Sequence, residues 1–124
     1  MKVLICGGRD FDDYLKVLET LDQIHGFNPE CGACDDNITV IIHGAARGAD
    51  TLGGKWASDR GIPVEVYPAQ WNKYGKKAGF LRNTQMLEEG QPDMVVAFTG
   101  GRGTDMMVNL SAKAGVQVED KRDG

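Results

Sequence analysis

Five short apolar runs alternate with longer stretches whose apolar residues recur at helical spacing. The first run, Lys2 to Cys6, predicts a strand. From about Asp12 to His25, Leu15, Leu18, Leu21 and Ile24 form a stripe three residues apart, which predicts a helix that Asp12 or Asp13 can cap. After a polar insert from Gly26 to Asn37, Ile38 to Ile42 reads as the second strand. Ala49 to Arg60 reads as a helix that turns Leu52, Trp56 and Ala57 inward and is ended by Gly61 and Pro63. Val64 to Tyr67 predicts a third strand, followed by a loop holding Pro68, Trp71 and Tyr74. A helix is expected from about Lys76 to Glu89, with Phe80, Leu81, Met86 and Leu87 apolar. Asp93 to Phe98 gives the fourth strand, Thr104 to Ala114 the last long helix, and Val116 to Val118 a final short strand. The tail from Glu119 to Gly124 is expected to be loose, leaving a single domain over residues 1–119 with a free end at 120–124.

Strands separated by helix-sized segments imply right-handed crossovers. The expected fold class is therefore α/β, a Rossmann-like open parallel sheet of about five strands with helices on both faces. At 124 residues such a domain buries about two thirds of the surface its unfolded chain exposes.

Three of the strands end in glycine and arginine. The first runs into Gly7-Gly8-Arg9-Asp10, the second into His43-Gly44-Ala45-Ala46-Arg47-Gly48-Ala49-Asp50, and the fourth into Gly100-Gly101-Arg102-Gly103-Thr104. In a parallel sheet these loops share the carboxyl edge, where open α/β folds bind their ligands. A glycine loop that feeds a helix exposes unpaired N–H groups beside partial positive charge, a setting that suits phosphate. Guanidinium groups suit it too, because their planar donors hold two oxygens at once. Any one of Arg9, Arg47 or Arg102 has a plainer role as a solvated loop charge, but three of them on converging loops point to an anionic ligand, with a nucleotide the leading candidate. Asp10 and Asp50 either cap and hold neighbours or bind ribose hydroxyls. Trp71 and Tyr74 either pack over the helix below or stack on a base. Trp56 is expected in the core, and Phe11 as a cleft wall or helix staple.

Charge and known fingerprints narrow the ligand. Fourteen basic residues against 18 acidic give a net charge of −4, which disfavours a general nucleic-acid binder and favours a small anion. The first loop lacks the G-x-G-x-x-G of dinucleotide-binding dehydrogenases, and no G-x-x-x-x-G-K loop is present to hold a triphosphate and magnesium. No apolar stretch approaches the ~20 residues of a membrane span, and Met1-Lys2 leads straight into a strand without a signal-peptide region, so a soluble cytoplasmic protein without membrane partners is expected. In the insert, Cys31 and Cys34 have C-x-x-C spacing and His25 lies six positions earlier, which makes three potential zinc ligands. A fourth is missing and Cys6 ends a strand. Reduced thiols are therefore expected, with no cofactor required. His43 is expected to stabilise its loop.

The blocks GGRDF (Gly7 to Phe11), HGAARGADTL (His43 to Leu52), PAQWNKYGKKAGFLRNTQML (Pro68 to Leu87) and AFTGGRGTDMM (Ala97 to Met107) make the chain resemble the YspA/YpsA-related branch of the SLOG superfamily. That Rossmann-like group includes the LOG-type phosphoribohydrolases and the DprA/Smf proteins. The resemblance implies a cleft for nucleotides or nucleotide-derived molecules. By analogy with LOG-type pairs, it also implies a homodimer. LOG-type enzymes cleave an N-glycosidic bond with an arginine in an R-K-x-x-M-like segment and a glutamate after a P-G-G-x-G-T loop. Here Arg82-Asn83-Thr84-Gln85-Met86 carries Asn in place of Lys, and Thr99 precedes the loop in place of Pro. Where the glutamate should fall, Asp105 is followed by Met106 and Met107. A carboxylate can stabilise an oxocarbenium-like state or activate water, and methionine can do neither. Binding without turnover, as a sensor or sequestering protein, is thus expected. The alternatives are a nucleotide N-ribohydrolase using Arg82 and Asp105, and a DprA-like single-strand DNA binder.

Overall fold

The two most apolar runs of the chain become neighbours at the centre of the sheet. In the computed structural model, which describes residues 1–25 and 37–122, β1 (Lys2–Cys6) and β4 (Met94–Phe98) pair in parallel, with Leu4 opposite Val95 and Ile5 opposite Val96. All of β4 and all of β1 after Lys2 are buried, as strands covered on both faces must be. β2 (Val40–His43) lies on the other side of β1, β3 (Val64–Val66) beyond it, and β5 (Gln117–Lys121) outside β4, giving the all-parallel order β3-β2-β1-β4-β5. The chain steps outward from β1 to β3 and then returns to β4 on the far side. The reversal falls between β1 and β4, where such sheets open a crevice.

Alternation along the strands builds two cores. Val3, Ile5, Ile41, Val96 and Phe98 face α1 (Tyr14–Ile24) and α2 (Ala49–Asp59), which contribute Val17, Leu21, Trp56 and Ala57. Leu4, Cys6, Ile42, Val95 and Ala97 face α4 (Ala78–Gly90) and α5 (Arg102–Lys113), which contribute Met86 and Met107. Asp13 caps α1 by accepting from the Lys16 N–H at 3.1 Å. Trp56 is fully buried, and its indole N–H donates to Asp22 at 2.9 Å, so α2 is tied to α1 by a satisfied polar contact inside an apolar packing.

Several expectations need correction. Leu15 is 62% exposed, and α1 instead packs Tyr14, Val17, Leu18, Leu21 and Ile24 against the sheet core. Both stripes have helical spacing, and only the sheet's position chooses between them. The loop with Trp71 and Tyr74 is a one-turn helix, α3 (Trp71–Tyr74), continued by a 3₁₀ turn at Gly75–Lys77, so α4 starts at Ala78. Phe80 and Leu81 are exposed, since α4 turns Ala78, Asn83, Met86 and Gly90 inward. The tail expected to be loose is strand as far as Lys121, with Glu119, Asp120 and Lys121 opposite Val96, Ala97 and Phe98. An edge strand needs a backbone ladder on one side only and tolerates charged side chains. Among the described residues no helix is long and apolar enough to cross a membrane.

Candidate functional site

The loops after β1, β2 and β4 meet backbone to backbone. The Gly8 N–H donates to the Thr99 carbonyl at 2.9 Å, and the Ala49 N–H donates to the Gly8 carbonyl at 3.3 Å. Side chains have no room here. A Cβ on Gly100 would strike the Thr104 hydroxyl and lie 2.6 Å from the Gly8 nitrogen. Gly48, at φ +77°, presses against the Gly8 carbonyl and Arg9, so both its conformation and its contacts call for glycine.

Two further glycines differ from these. Gly101 and Gly103 line a cleft of about 900 Å³ at the β1/β4 switch point, and a Cβ on either would meet no protein atom within 4 Å. Gly101 precedes α5 and has no side chain to cap it. The Asp105 N–H bonds back to the Gly101 carbonyl at 3.1 Å, while the N–H groups of residues 102–104 belong to the first turn, where helix geometry supplies no acceptor. The helix dipole adds partial positive charge at the same end.

Arg82 and Asn83 tie α4 to both ends of the site. Arg82 Nε donates to Asn83 Oδ1 at 2.9 Å, and Nη1 donates to the Gly44 carbonyl at 2.7 Å. The guanidinium fills the space where Gly44 would otherwise carry a Cβ. Asn83, itself buried, donates from Nδ2 to the Gly103 carbonyl at 3.3 Å. Burial lowers the Arg82 pKa, Asp50 opposes the shift and Arg9 adds to it, yet a guanidinium stays protonated. Arg9 lies 5.6 Å above the Trp71 ring centroid, and Trp71 lies over α4 at Gly79. Arg9, Asp10, Trp71, Arg82, Asn83, Arg102 and Thr104 all line the cleft together with Gly7, Gly8 and Gly100.

The remaining candidates lie elsewhere. Gly44 and Arg47 line an adjoining cavity of about 370 Å³, which also touches Arg9, Trp71 and Arg82. Gly48 and Asp50 sit behind the walls. Asp50 Oδ2 accepts from the Gly44 and Ala46 N–H groups at 3.0 and 3.3 Å, so this carboxylate shapes the loop. Burial pushes its pKa up to about 6, against the pull of those hydrogen bonds and Arg82. His43 Nδ1 accepts from the Ala45 N–H at 3.0 Å, and burial lowers its pKa, in keeping with its expected loop role.

Asp105 pairs with Arg122 at 2.6 Å and borders a separate cavity of about 420 Å³ between α4 and α5. Met106 borders both that cavity and the main cleft, whereas Met107 is buried in the core. The structure therefore does not bring Asp105 together with Arg82. Three further acids, Asp10, Asp12 and Asp13, line the cleft from the β1 side. Of the proposed zinc ligands, His25 accepts from the Ile38 N–H at 3.0 Å and packs edge-on against Trp56, while Cys31 and Cys34 lie outside the described residues. Among the described residues no group of three His, Cys, Asp or Glu could hold a metal ion. Burial pushes the Cys6 thiol up to about 12, which removes it as a nucleophile at neutral pH.

Lys76 and Phe80 also line the cleft, although neither was expected there. Lys76 had a visible signal in the Lys76-Lys77 pair, whereas Phe80 read as an apolar position of its helix.

Residues 1–74, from β1 through α3, match the model of the YspA, cpYpsA-related SLOG family. A curated relative, the Gene 61 protein of Mycobacterium phage D29, is 38% identical over 125 residues, covering 94% of this chain and 93% of that protein. The family match includes two of the three interlocking loops and ends before Arg82 and the start of α5, which the parallel sheet brings to the same edge. On the sequence match and on a fold that agrees with it, the chain belongs to the YspA, cpYpsA-related SLOG family.

Proposed function

We propose that the protein binds a nucleotide or nucleotide-derived small molecule in the main cleft and acts as a sensor or sequestering protein. One observation carries the proposal: α5 starts without a side-chain cap and opens onto the cleft through Gly101 and Gly103, two glycines that the packing of the protein does not require. A phosphate set there accepts from the first-turn N–H groups, with Arg9, Arg82 and Arg102 supplying charge-assisted donors around it. Asp10 is the candidate partner for ribose hydroxyls and Trp71 the candidate surface for a base. SLOG membership supports nucleotide-related ligands as a class.

Binding without turnover is favoured at the one position where LOG-type enzymes carry their glutamate. Hydrolysis of an N-glycosidic bond calls for a carboxylate beside the developing positive charge. After the α5 loop Met106 lines the cleft while Asp105 is held by Arg122, which leaves, among the described residues, only Asp10, Asp12 and Asp13 on the β1 side as acids of the cleft. The test is thermal unfolding against mono-, di-, cyclic and ADP-ribose-type nucleotides, followed by chromatography of each sample for free base. A ligand at ~100 times its dissociation constant adds about 2.7 kcal/mol, several degrees in a domain of this size. A selective shift with intact ligand is expected. Free base appearing in step with protein would make the protein an N-ribohydrolase, and no shift across the panel would refute the nucleotide site.

A further inference from the structure

The cavity beside the main cleft is contiguous with it through Arg9, Ala46, Trp71 and Arg82, which border both. Its volume of about 370 Å³ falls within the range of ligand pockets, which starts near ~300 Å³. Three arginines stand on its walls, Arg9, Arg47 and Arg82, and no Asp or Glu does. Two of the three are already held in place: Arg82 by the Gly44 carbonyl at 2.7 Å and by Asn83, and Arg9 by its stack on Trp71. Stacking engages the face of a guanidinium and leaves its N–H edge for other acceptors.

The charge balance of these arginines is unlike that of others in the chain. Arg60 is paired with Asp22 at 2.7 Å, and Arg122 with Asp105 and Asp120 at 2.6 and 2.8 Å. Arg9, Arg47 and Arg82 form no ion pair among the described residues, although the chain carries a net charge of −4 and has acids to spare. Arg9 sits close enough to Arg82 to disfavour the charge of that guanidinium. Asp50, whose charge reaches Arg82, lies buried behind the Gly44 and Ala46 backbone and not on the cavity wall, and burial favours its neutral form. Clustered and prearranged cations around a concavity without a carboxylate on its wall are what an anionic group needs.

We propose that this cavity is a second anion subsite, so that the ligand class is a nucleotide carrying a second phosphate remote from the one at α5. The inference rests on the nucleotide reading of the main cleft. Arg82, fixed between the two cavities, contacts both ends of such a ligand, Arg47 contacts only the second phosphate, and Arg102 only the first.

The test is calorimetric titration of the intact protein with the four common ribonucleoside 5′-monophosphates and the matching 3′,5′-bisphosphates, repeated on Arg47→Gln and Arg102→Gln. The best bisphosphate is expected to bind about tenfold or more tighter than its monophosphate. In Arg47→Gln that ratio collapses towards one, whereas in Arg102→Gln both ligands weaken and the ratio persists. Arg47 is exposed on a loop, so its replacement should leave the fold intact, as a circular dichroism melt will verify. A monophosphate that binds as well as its bisphosphate, or a bisphosphate advantage that survives Arg47→Gln, overturns the second subsite and leaves the main cleft standing. Failure of every nucleotide to bind overturns both.

Discussion

Replacing Gly103 with alanine should move stability and binding in opposite directions. Gly103 is the second residue of α5, has no left-handed φ, and leaves open space where a Cβ would stand. Glycine within a helix is about 0.5–1 kcal/mol worse than alanine, and a first-turn position recovers the lower end of that range, about 0.5 kcal/mol. A 124-residue domain unfolds with an entropy of about 0.26 kcal/mol per kelvin, so Tm should rise by about 2 °C. The new methyl group lines the cleft where phosphate is expected to meet the first-turn N–H groups. Losing one such charge-assisted hydrogen bond costs about 1.5–3 kcal/mol, or roughly ten- to hundredfold in nucleotide affinity. Differential scanning fluorimetry and titration calorimetry on one preparation read both effects. Gly61→Ala is the control, because Gly61 has φ +68°, lies away from the cleft and has nothing within 4 Å. Its alanine should cost ~1 kcal/mol, lowering Tm by about 4 °C, and leave affinity alone. A stabilised Gly103→Ala that binds nucleotide as tightly as the parent would refute phosphate binding at α5.

Asp50 gives the protein a pH dependence whose sign is fixed by burial. Its folded pKa of about 6 lies above the ordinary 3.8, so the folded state holds the proton more tightly. Its contribution is fully present below about pH 4 and is lost as pH rises through about 6, a change of roughly 1–3 kcal/mol. Urea titrations at pH 4 to 7.5 should show that this slope is missing in Asp50→Asn, and equal slopes in parent and variant would disprove it. Gly44→Ala drives a Cβ into the Arg82 guanidinium and should cost about 1–3 kcal/mol, with the double variant Gly44→Ala/Arg82→Ala less destabilised than the two single costs summed. Additive losses in chemical denaturation would mean that the two residues do not compete for the same space. Asp105→Asn should leave nucleotide affinity unchanged, because Asp105 faces Arg122 outside the cleft. A fall in affinity by titration calorimetry would return Asp105 to the site.

Much of the architecture was legible because a doubly covered strand has a distinctive signature. Val3-Leu4-Ile5-Cys6 and Met94 to Phe98 are continuous apolar runs, and little else in a short chain can use them. Legibility failed where a residue's fate depends on what stands opposite. Leu15 and Val17 are both reasonable inward positions, and the sheet decides for Val17. β5 carries Glu119, Asp120 and Lys121 and looks like solvent-exposed tail, since its stabilisation comes from the backbone ladder to β4. The glycine and arginine loops pointed to a shared cleft without revealing its division into two cavities. Asp50 and Asp10 follow similar loops, yet Asp50 is turned under its loop, where it accepts from the Gly44 and Ala46 N–H groups, and Asp10 lines the cleft. The neighbouring positions Asp105 and Met106 part in the same way, since one residue along a helix is a turn of about 100°.

The floor made by Gly8, Thr99 and Gly100, with Gly48 packed behind it, is main chain, while the walls are side chains. These two parts can change at different rates over evolutionary time. Most substitutions in the floor break the joint between three loops, whereas Arg9, Trp71, Arg102 and Met106 stand at or near the surface and can be exchanged with little effect on the strands beneath. The frame can therefore keep its fold while the side chains on its walls are exchanged. In a mutational scan read for folding, Gly8, Gly48 and Gly100 should appear as an intolerant frame, with Gly103 and the wall positions Arg9, Trp71, Arg102 and Met106 accepting many residues.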